Sequence, residues 1–205
     1  MRYLLCIFMN KPYSESCDQN KEAILDVISP MFSAVSRVLE IGSGTGQHAI
    51  YFSEKMPHLT WQTSDRRQYL NGINLWLDDT ALPNVVAPIE LDVTASHWPV
   101  SDIEAVFTAN SAHIMALREV ECLMAGVAKL LPEQGSLVIY GPFNYGGKYT
   151  SKSNARFDQW LKSNDPESGI KHFEELVSMA DENAMHLLSD HAMPANNRIL
   201  HFMKT

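Results

Sequence analysis

The sequence contains little cysteine and no cluster of basic residues. Its 205 residues include only three cysteines, and these lie far apart without a C-x-x-C spacing. This pattern excludes a disulfide framework and a zinc site of the usual spacing, and it fits the reducing cytoplasm. The formal net charge is −8, and Arg66-Arg67 is the one adjacent basic pair. We therefore expect no nucleic-acid partner, because phosphate-backbone binding requires a clustered basic face.

Long hydrophobic runs are also missing. The opening segment MRYLLCIF is apolar but too short for a membrane span, and it turns polar at Asn10 without a small-residue cleavage site. We expect no membrane partner and no signal peptide. We further infer that Met9 is the natural start and that residues 1–8 are upstream read-through or an added edge segment.

The chain does contain alternating strand and helix patterns, which are typical of βα units in a single α/β domain spanning residues 1–205. Helices are predicted at residues 19–29, from about 47 to 56, around the stripe Leu70, Ile73 and Leu77, and at about 116–131. Strands are predicted at residues 37–41, 59–63, 85–91, 103–109 and 136–140. Such connections produce a mostly parallel sheet.

The last third differs in composition. Residues 141–154 are rich in Gly, Ser, Asn and Tyr, which predicts a long exposed loop, followed by a short helix carrying Phe157 and Trp160. Asp165-Pro166 is predicted to begin another helix. Residues 185–192 and 198–203 are predicted as two closing antiparallel strands joined through the PANN turn.

The most informative segment is VLEIGSGTGQH, residues 38–48. An apolar strand ending in an acid leads into three glycines and then into a helix. Glycine lets the backbone turn sharply and approach a ligand, and the helix N-terminus offers unpaired N–H groups. The third glycine of the dinucleotide pattern G-x-G-x-x-G is replaced by Gln47. The observed G-x-G-x-G resembles motif I of the class I S-adenosylmethionine-dependent methyltransferases.

This resemblance implies S-adenosyl-L-methionine as the cofactor. Asp65, at the end of strand two, is expected to accept both ribose hydroxyls, although it is also a candidate N-cap and an NAD enzyme would place an acid there. Asp92 is expected to bind the adenine amino group, or alternatively to cap a loop. The expected cofactor-binding residues are Glu40, Gly42, Ser43, Gly44, Gly46, Asp65, Asp92, Val93 and Asn110.

Other segments narrow the resemblance. PYSES and QNKEAIL near the start, ANSAHIM after strand four, GPFNYGGKYTSKSNARFDQWLKSNDPESGI and MPANN are similar to the family named domain of unknown function 938, which includes the methyltransferase-like 26 proteins. The resemblance covers the chain from about Pro12 to its end. It implies an α/β, Rossmann-like class I methyltransferase fold, with a mostly parallel seven-stranded sheet, an antiparallel last strand and helices on both faces. It implies no defined substrate.

The expected partner is a small-molecule methyl acceptor bound beyond the carboxyl ends of the strands. His113 is the predicted general base, with helix capping or cofactor packing as alternatives. The residues 1–30 are expected to cover the pocket, and residues 141–160 to lie near the acceptor. The predicted substrate-binding residues are Tyr13, Asn20, Phe143, Asn144 and Tyr145.

Some reactions are disfavoured. ANSAH lacks the Asn/Asp-Pro-Pro-Tyr/Phe element of amino-group methyltransferases that act on adenine or glutamine. No acid cluster indicates a Mg²⁺ site, so we expect no metal. Two alternatives stay open: a protein that binds the cofactor or its demethylated product without turnover, and, disfavoured by Gln47, an NAD-dependent oxidoreductase.

Overall fold

The computed structural model describes residues 11–205, so the inferred start at Met9 lies outside the described residues. The helices are α1 (Glu15–Met31), α2 (Gln47–Lys55), α3 (Leu70–Thr80), α4 (Leu117–Leu130), α5 (Lys152–Asn164) and α6 (Phe173–Glu182). The strands are β1 (Arg37–Ile41), β2 (Thr60–Asp65), β3 (Val85–Glu90), β4 (Ala105–Ala109), β5 (Ser136–Gly141), β6 (Met185–Met193) and β7 (Asn197–Lys204).

These strands form one seven-stranded sheet in the order β3-β2-β1-β4-β5-β7-β6. The first five strands are parallel, and β7 pairs antiparallel with both β5 and β6. The predicted fold class is therefore confirmed. The strand order reverses between β1 and β4, and the crevice at such a reversal is where open α/β sheets bind ligands.

The central strands are apolar on both faces because helices cover both faces. Leu39 and Val106 pack on the face covered by α4 and α6. Their neighbours Val38 and Phe107 pack on the other face, against α1 and α2. Burial on both sides removes the polar and apolar alternation of a half-exposed strand and gives the short continuous apolar runs seen in the sequence.

The leading helix is longer than predicted. It begins at Glu15, four residues before the expected start, because Ser14 caps it by accepting a hydrogen bond from the Cys17 N–H. Pro30 lies inside the last turn and not after the helix. The first turn of α1 therefore reaches the cavity described below.

The expected helix start at Asp165-Pro166 is wrong. Asp165 is the C-cap of α5, with φ −146° and ψ 113°, and α6 begins only at Phe173. Proline disfavours helical backbone at the residue before it, so Pro166 ends a helix here. The expected loop at 141–154 is also too long, because Ser151 caps α5 and Lys152 begins it.

Candidate active site

The glycine loop after β1 is fixed to the end of β2. The N–H groups of Gly42 and Ser43 donate to the Ser64 carbonyl at 3.1 and 2.9 Å. Gly42, Gly44 and Gly46 have φ of +74°, +59° and +91°, a region that side chains other than glycine rarely adopt. The loop is thus held in one shape before any ligand binds.

Asp65 completes this loop from β2. Its Oδ2 accepts the Gly44 N–H at 2.7 Å, and its Oδ1 accepts the Arg66 N–H at 2.7 Å. A Cβ added to Gly44 would meet no atom of residues 11–205 within 4 Å, so the described residues leave the outer side of the loop open. Burial is the largest influence on the Asp65 carboxyl and raises its pKa. Each carboxylate oxygen keeps a free lone pair, so Asp65 can still accept two ligand hydroxyls.

The glycine loop and Asp65 line a cavity of about 540 Å³, which is in the range of small-molecule sites. The cavity lies at the carboxyl ends of the strands, beside the first turn of α1. Its lining residues are Pro12, Ser14, Ser16, Cys17, Ile41, Gly42, Ser43, Gly44, Thr45, His48, Asp65, Arg66, Gln68, Tyr69, Gly72, Leu91, Val93, Ala109, Asn110, Ser111, Ile114 and Met115.

Most of the expected cofactor-binding residues meet at this cavity. Those that line it are Gly42, Ser43, Gly44, Asp65, Val93 and Asn110. Asn110 directly follows β4 and has a left-handed backbone, φ +58°. Gly46 lies behind the loop as the N-cap of α2, where an added Cβ would be 3.4 Å from Ile73.

Glu40 lies beneath the loop and not on the cavity wall. It is 2% exposed and its Oε2 accepts the Trp61 Nε1–H at 3.2 Å. Burial raises the Glu40 pKa to about 7, against the lowering effect of hydrogen bonds from Ser43 and Trp61. Glu40 therefore supports the loop from below.

Asp92 does not line the cavity. Its Oδ1 accepts hydrogen bonds from both the N–H and the hydroxyl of Thr94, at 2.9 and 2.7 Å, and these bonds lower the Asp92 pKa. This geometry corresponds to the alternative role of Asp92, in which its side chain caps a loop. Val93, the next residue, lines the cavity.

The predicted base His113 is buried against α5. Its ring makes an edge contact with Phe157 at 5.1 Å between centroids, and its carbonyl accepts the Gly169 N–H at 2.9 Å. His113 is 7% exposed and is not among the described residues that line the cavity. Burial lowers its pKa to about 4. The structure thus places His113 as a packing residue between the end of β4 and the late segment.

The buried neutral state of His113 predicts a pH-dependent contribution to stability. Its pKa is about 4 when folded and 6.5 as the ordinary value, so the unfolded chain takes up a proton between these pH values and stability is lost as pH falls. We expect the stability difference between wild type and His113→Gln to shrink by about 2 to 3 kcal/mol from pH 7 to pH 4. Urea unfolding at several pH values measures it, and a difference independent of pH contradicts the buried neutral imidazole.

The three late-loop candidates do not line the described cavity either. Phe143 belongs to the core, and Asn144 is buried and paired with Lys171 through its backbone N–H. Tyr145 stacks on Phe173 and donates its hydroxyl proton to Asp190 Oδ2 at 2.9 Å. These residues dock the late segment onto the sheet.

Within the described part of the leading segment, Pro12, Ser14, Ser16 and Cys17 line the cavity, and the expected Tyr13 and Asn20 do not. Tyr13 is 63% exposed, whereas the carbonyl of its neighbour Pro12 accepts the Trp76 Nε1–H at 2.6 Å. Gln47 holds Ser14 at both backbone groups: Gln47 Oε1 accepts the Ser14 N–H at 2.6 Å, and Gln47 Nε2 donates to the Ser14 carbonyl at 3.2 Å. The residue that departs from the glycine pattern is thus the anchor of α1.

We expect Gln47→Ala to loosen the first turn of α1, because it removes two hydrogen bonds, each contributing about 1 kcal/mol. Amide hydrogen exchange should become about tenfold faster at residues 14–18 and stay unchanged in β5. Gln19→Ala is the matched control, since among the described residues the Gln19 amide bonds only the exposed Glu15 side chain. Equal exchange in both variants argues against this anchor.

Sequence reasoning missed several cavity residues. The predicted start of the first helix was too late in the chain, which left out Ser14, Ser16 and Cys17. The connecting segments that contain Tyr69 and Ile114 have no sequence pattern that indicates a binding site. His48 was missed because it lies in the apolar stripe of α2. The S-x-S-C segment was the available signal, since Ser14 is a normal N-cap.

The described residues were compared with the requirements for a membrane-spanning helix and for a metal site. Within residues 11–205, no helix combines the length and the apolar character needed to cross a membrane. The same part of the chain has no group of three or more His, Cys, Asp or Glu side chains that could hold a metal ion.

Several solved methyltransferase structures have a fold similar to that of this chain. The mitomycin 7-O-methyltransferase MmcR has a TM-score of 0.82 and 11% identity, over 93% of this chain and 54% of its own. The S-adenosylmethionine-dependent methyltransferase SibL in its apo form gives 0.78 and 18%, over 92% and 55%. Human N-acetylserotonin methyltransferase in complex with S-adenosylmethionine gives 0.80 and 11%, over 93% and 53%. This chain thus spans about half the length of these proteins.

The sequence of this chain also matches the model of a protein family. The family described as a protein of unknown function (DUF938) matches residues 11–204, nearly all of the described chain. The seven-stranded sheet and the overall fold agree with the methyltransferase structures above. The chain therefore belongs to the DUF938 family and has the Rossmann-like fold of the class I methyltransferases.

Proposed function

We propose that this protein is an S-adenosylmethionine-dependent methyltransferase that acts on a small molecule through oxygen, sulfur or a simple amine. One observation carries the proposal: Asp65 and the open side of Gly44 face the same cavity, with the carboxylate already oriented by the loop. A carboxylate at the end of β2 suits a ribose, and a glycine loop without side chains suits the close approach of the methionine part.

The chain's own residues fit this cofactor. Gly42, Ser43 and Gly44 would contact the methionine and ribose, Asp65 the ribose hydroxyls, and Val93 the adenine. When bound, the cofactor supplies a methyl group on a positively charged sulfur. The protein then has to align donor and acceptor and, for a protic acceptor, to remove a proton.

A dinucleotide fits less well. Dinucleotide phosphates bind at the N-terminus of the helix after the glycines, using its free N–H groups. Here Gln47, the first residue of α2, is bonded to Ser14, so the first turn of α1 lies against this helix end. This packing supports S-adenosylmethionine over NAD.

The proposal extends to the acceptor and the cell compartment. The acceptor enters beside the first turn of α1, near Ser14, Cys17 and Asn110, and is a small molecule without a nucleic-acid or membrane component. We also propose that the chain is related to the methyltransferase-like 26 proteins. Free thiols at Cys17 and Cys122 are consistent with a cytoplasmic location.

One observation favours the alternative of a cofactor-binding protein without turnover: the predicted base His113 is buried away from the cavity. Turnover separates the two functions. The purified protein is incubated with S-adenosylmethionine and fractionated cell metabolites, and release of S-adenosylhomocysteine is measured. We expect at least one fraction to stimulate release in wild type and not in Asp65→Ala. Tight cofactor binding without release in any fraction contradicts the enzyme and supports the binding protein.

A further inference from the structure

A second histidine, His48, lies on the cavity wall. It is the second residue of α2, it is 5% exposed, and it lines the cavity together with Cys17, Ala109 and Asn110. Its ring stacks on Phe52 with centroids 5.2 Å apart and planes at 11°. The imidazole is therefore held in one orientation by packing.

A polar network under α1 fixes the ring nitrogens. His48 Nε2 lies 2.7 Å from Asn20 Oδ1, so the Nε2 atom carries the proton and the Asn20 oxygen accepts it. The Asn20 amide also hydrogen-bonds the Tyr140 hydroxyl, which accepts a second bond from Asn197 Nδ2 at 3.0 Å. The network joins α1, α2, β5 and the PANN turn.

The other nitrogen of His48 is available. Among residues 11–205, Nδ1 of His48 makes no hydrogen bond, although the residue borders the cavity. A neutral imidazole whose Nε2–H is bound by an amide oxygen presents an Nδ1 lone pair, which is the arrangement of a general base oriented by a second group. Asn20 is therefore a positioning residue, and Tyr140 and Asn197 hold Asn20.

Because His48, Asn20 and the cavity lie together, we propose that His48 is the general base of the methyl transfer proposed above and that its end of the cavity receives an acceptor hydroxyl or thiol. This inference rests on the proposed function. The acceptor gives its proton to Nδ1 of His48 while its oxygen or sulfur bonds to the methyl carbon. The methyl carbon–sulfur bond of the donor breaks, its electron pair stays on that sulfur, and His48 then releases the proton to solvent.

The electrostatic setting keeps His48 uncharged near pH 7. Burial, aided by the Lys21 charge, lowers the His48 pKa to about 4, so the imidazole is neutral near pH 7. Titratable groups close to it include Cys17 on α1 and Asp65 on β2, which line the same cavity, and Tyr140 on β5; the pKa of each is raised, burial being the largest cause. The uncharged Cys17 and Tyr140 suit a neutral protic acceptor.

The first test needs no acceptor. Nitrogen-15 NMR of histidine-labelled protein at pH 7, with S-adenosylhomocysteine bound, reports which ring nitrogen of His48 carries the proton. We expect Nε2–H with a bare Nδ1, and a mixture of both tautomers in Asn20→Ala. An Nδ1–H tautomer or a charged ring in the wild-type protein overturns the proposal.

The second test is turnover with the stimulating metabolite fraction. We expect His48→Gln and His48→Phe to lower kcat at least 100-fold while S-adenosylhomocysteine affinity changes less than threefold. His48→Phe keeps the stacking on Phe52, so a folded variant is obtained even if His48→Gln is unstable. His58→Gln is the control, because within residues 11–205 the His58 side chain bonds only the Phe32 carbonyl, and His58 lies before β2, at the end opposite Asp65.

The outcomes distinguish the two proposals. Unchanged kcat in a folded His48→Phe variant overturns the role of His48 while leaving the methyltransferase in place. Cofactor binding without turnover in any fraction also overturns it. Failure of the wild-type protein to bind S-adenosylhomocysteine contradicts the proposed function itself, whatever the tautomer of His48.

Discussion

The Asp65→Ala variant is expected to bind S-adenosylhomocysteine at least 100-fold more weakly than the wild-type protein. Two charge-assisted hydrogen bonds to ribose hydroxyls would be lost, and each contributes about 1.5 to 3 kcal/mol. The Gly44 N–H would also lose its 2.7 Å bond to the carboxylate, so the loop would be less well ordered before binding. Isothermal titration calorimetry measures the change.

The Asp65→Asn variant separates the effect of the carboxylate charge from the effect of the hydrogen bond to the glycine loop. Asp65→Asn keeps an oxygen that accepts the Gly44 N–H and loses the charge, so we expect it to weaken binding only about tenfold. Asp92→Ala, which removes the Thr94 bonds outside the cavity, is expected to have a smaller effect than either. An Asp65→Ala variant that binds S-adenosylhomocysteine with wild-type affinity would contradict the ribose-binding role of Asp65.

The Glu40→Gln variant is expected to be more stable than the wild-type protein at pH 8, by about 3 kcal/mol. Burial raises the Glu40 pKa from 4.5 to about 7, so the folded state holds a proton that the unfolded state has released. The contribution of Glu40 to stability is therefore full below pH 4.5 and is lost as pH rises to 7. Glutamine does not titrate, and its oxygen can still accept the Trp61 Nε1–H bond.

Urea unfolding of both proteins between pH 4 and pH 8 tests this. The stability of Glu40→Gln relative to wild type should increase through pH 4.5 to 7 and then stay level. Glu54→Gln, on the exposed end of α2, is the control and should show no such increase. A constant difference across the range would mean that the Glu40 carboxylate is not penalised by burial.

Much of the fold could be predicted because its signals are local. Apolar runs at the central strands, the stripe of α4 and the glycine loop each follow from a short stretch of sequence. The order of the last strands is different, because β7 lies between β5 and β6 and nothing within residues 197–204 specifies which neighbour is chosen. The boundary at Pro166 was misread because Asp-Pro both begins and ends helices.

The donor half of the site could be predicted better than the acceptor half. Gly42 and Gly44 lie in the loop directly after β1 and Asp65 is the last residue of β2, so the carboxyl ends of these strands place them. His48 and Asn20 meet only through the packing of α1 on α2, a long-range contact without a sequence signature. His113 was favoured because it follows β4, but packing against Phe157 turns it away from the cavity.

The most direct test of this account is calorimetry of the wild-type protein with S-adenosylhomocysteine and, separately, with NADH. The cavity at the ends of β1, β2 and β4, with Asp65 holding the glycine loop, predicts micromolar or tighter binding of S-adenosylhomocysteine and no measurable binding of NADH. Binding of NADH without binding of S-adenosylhomocysteine would contradict the account.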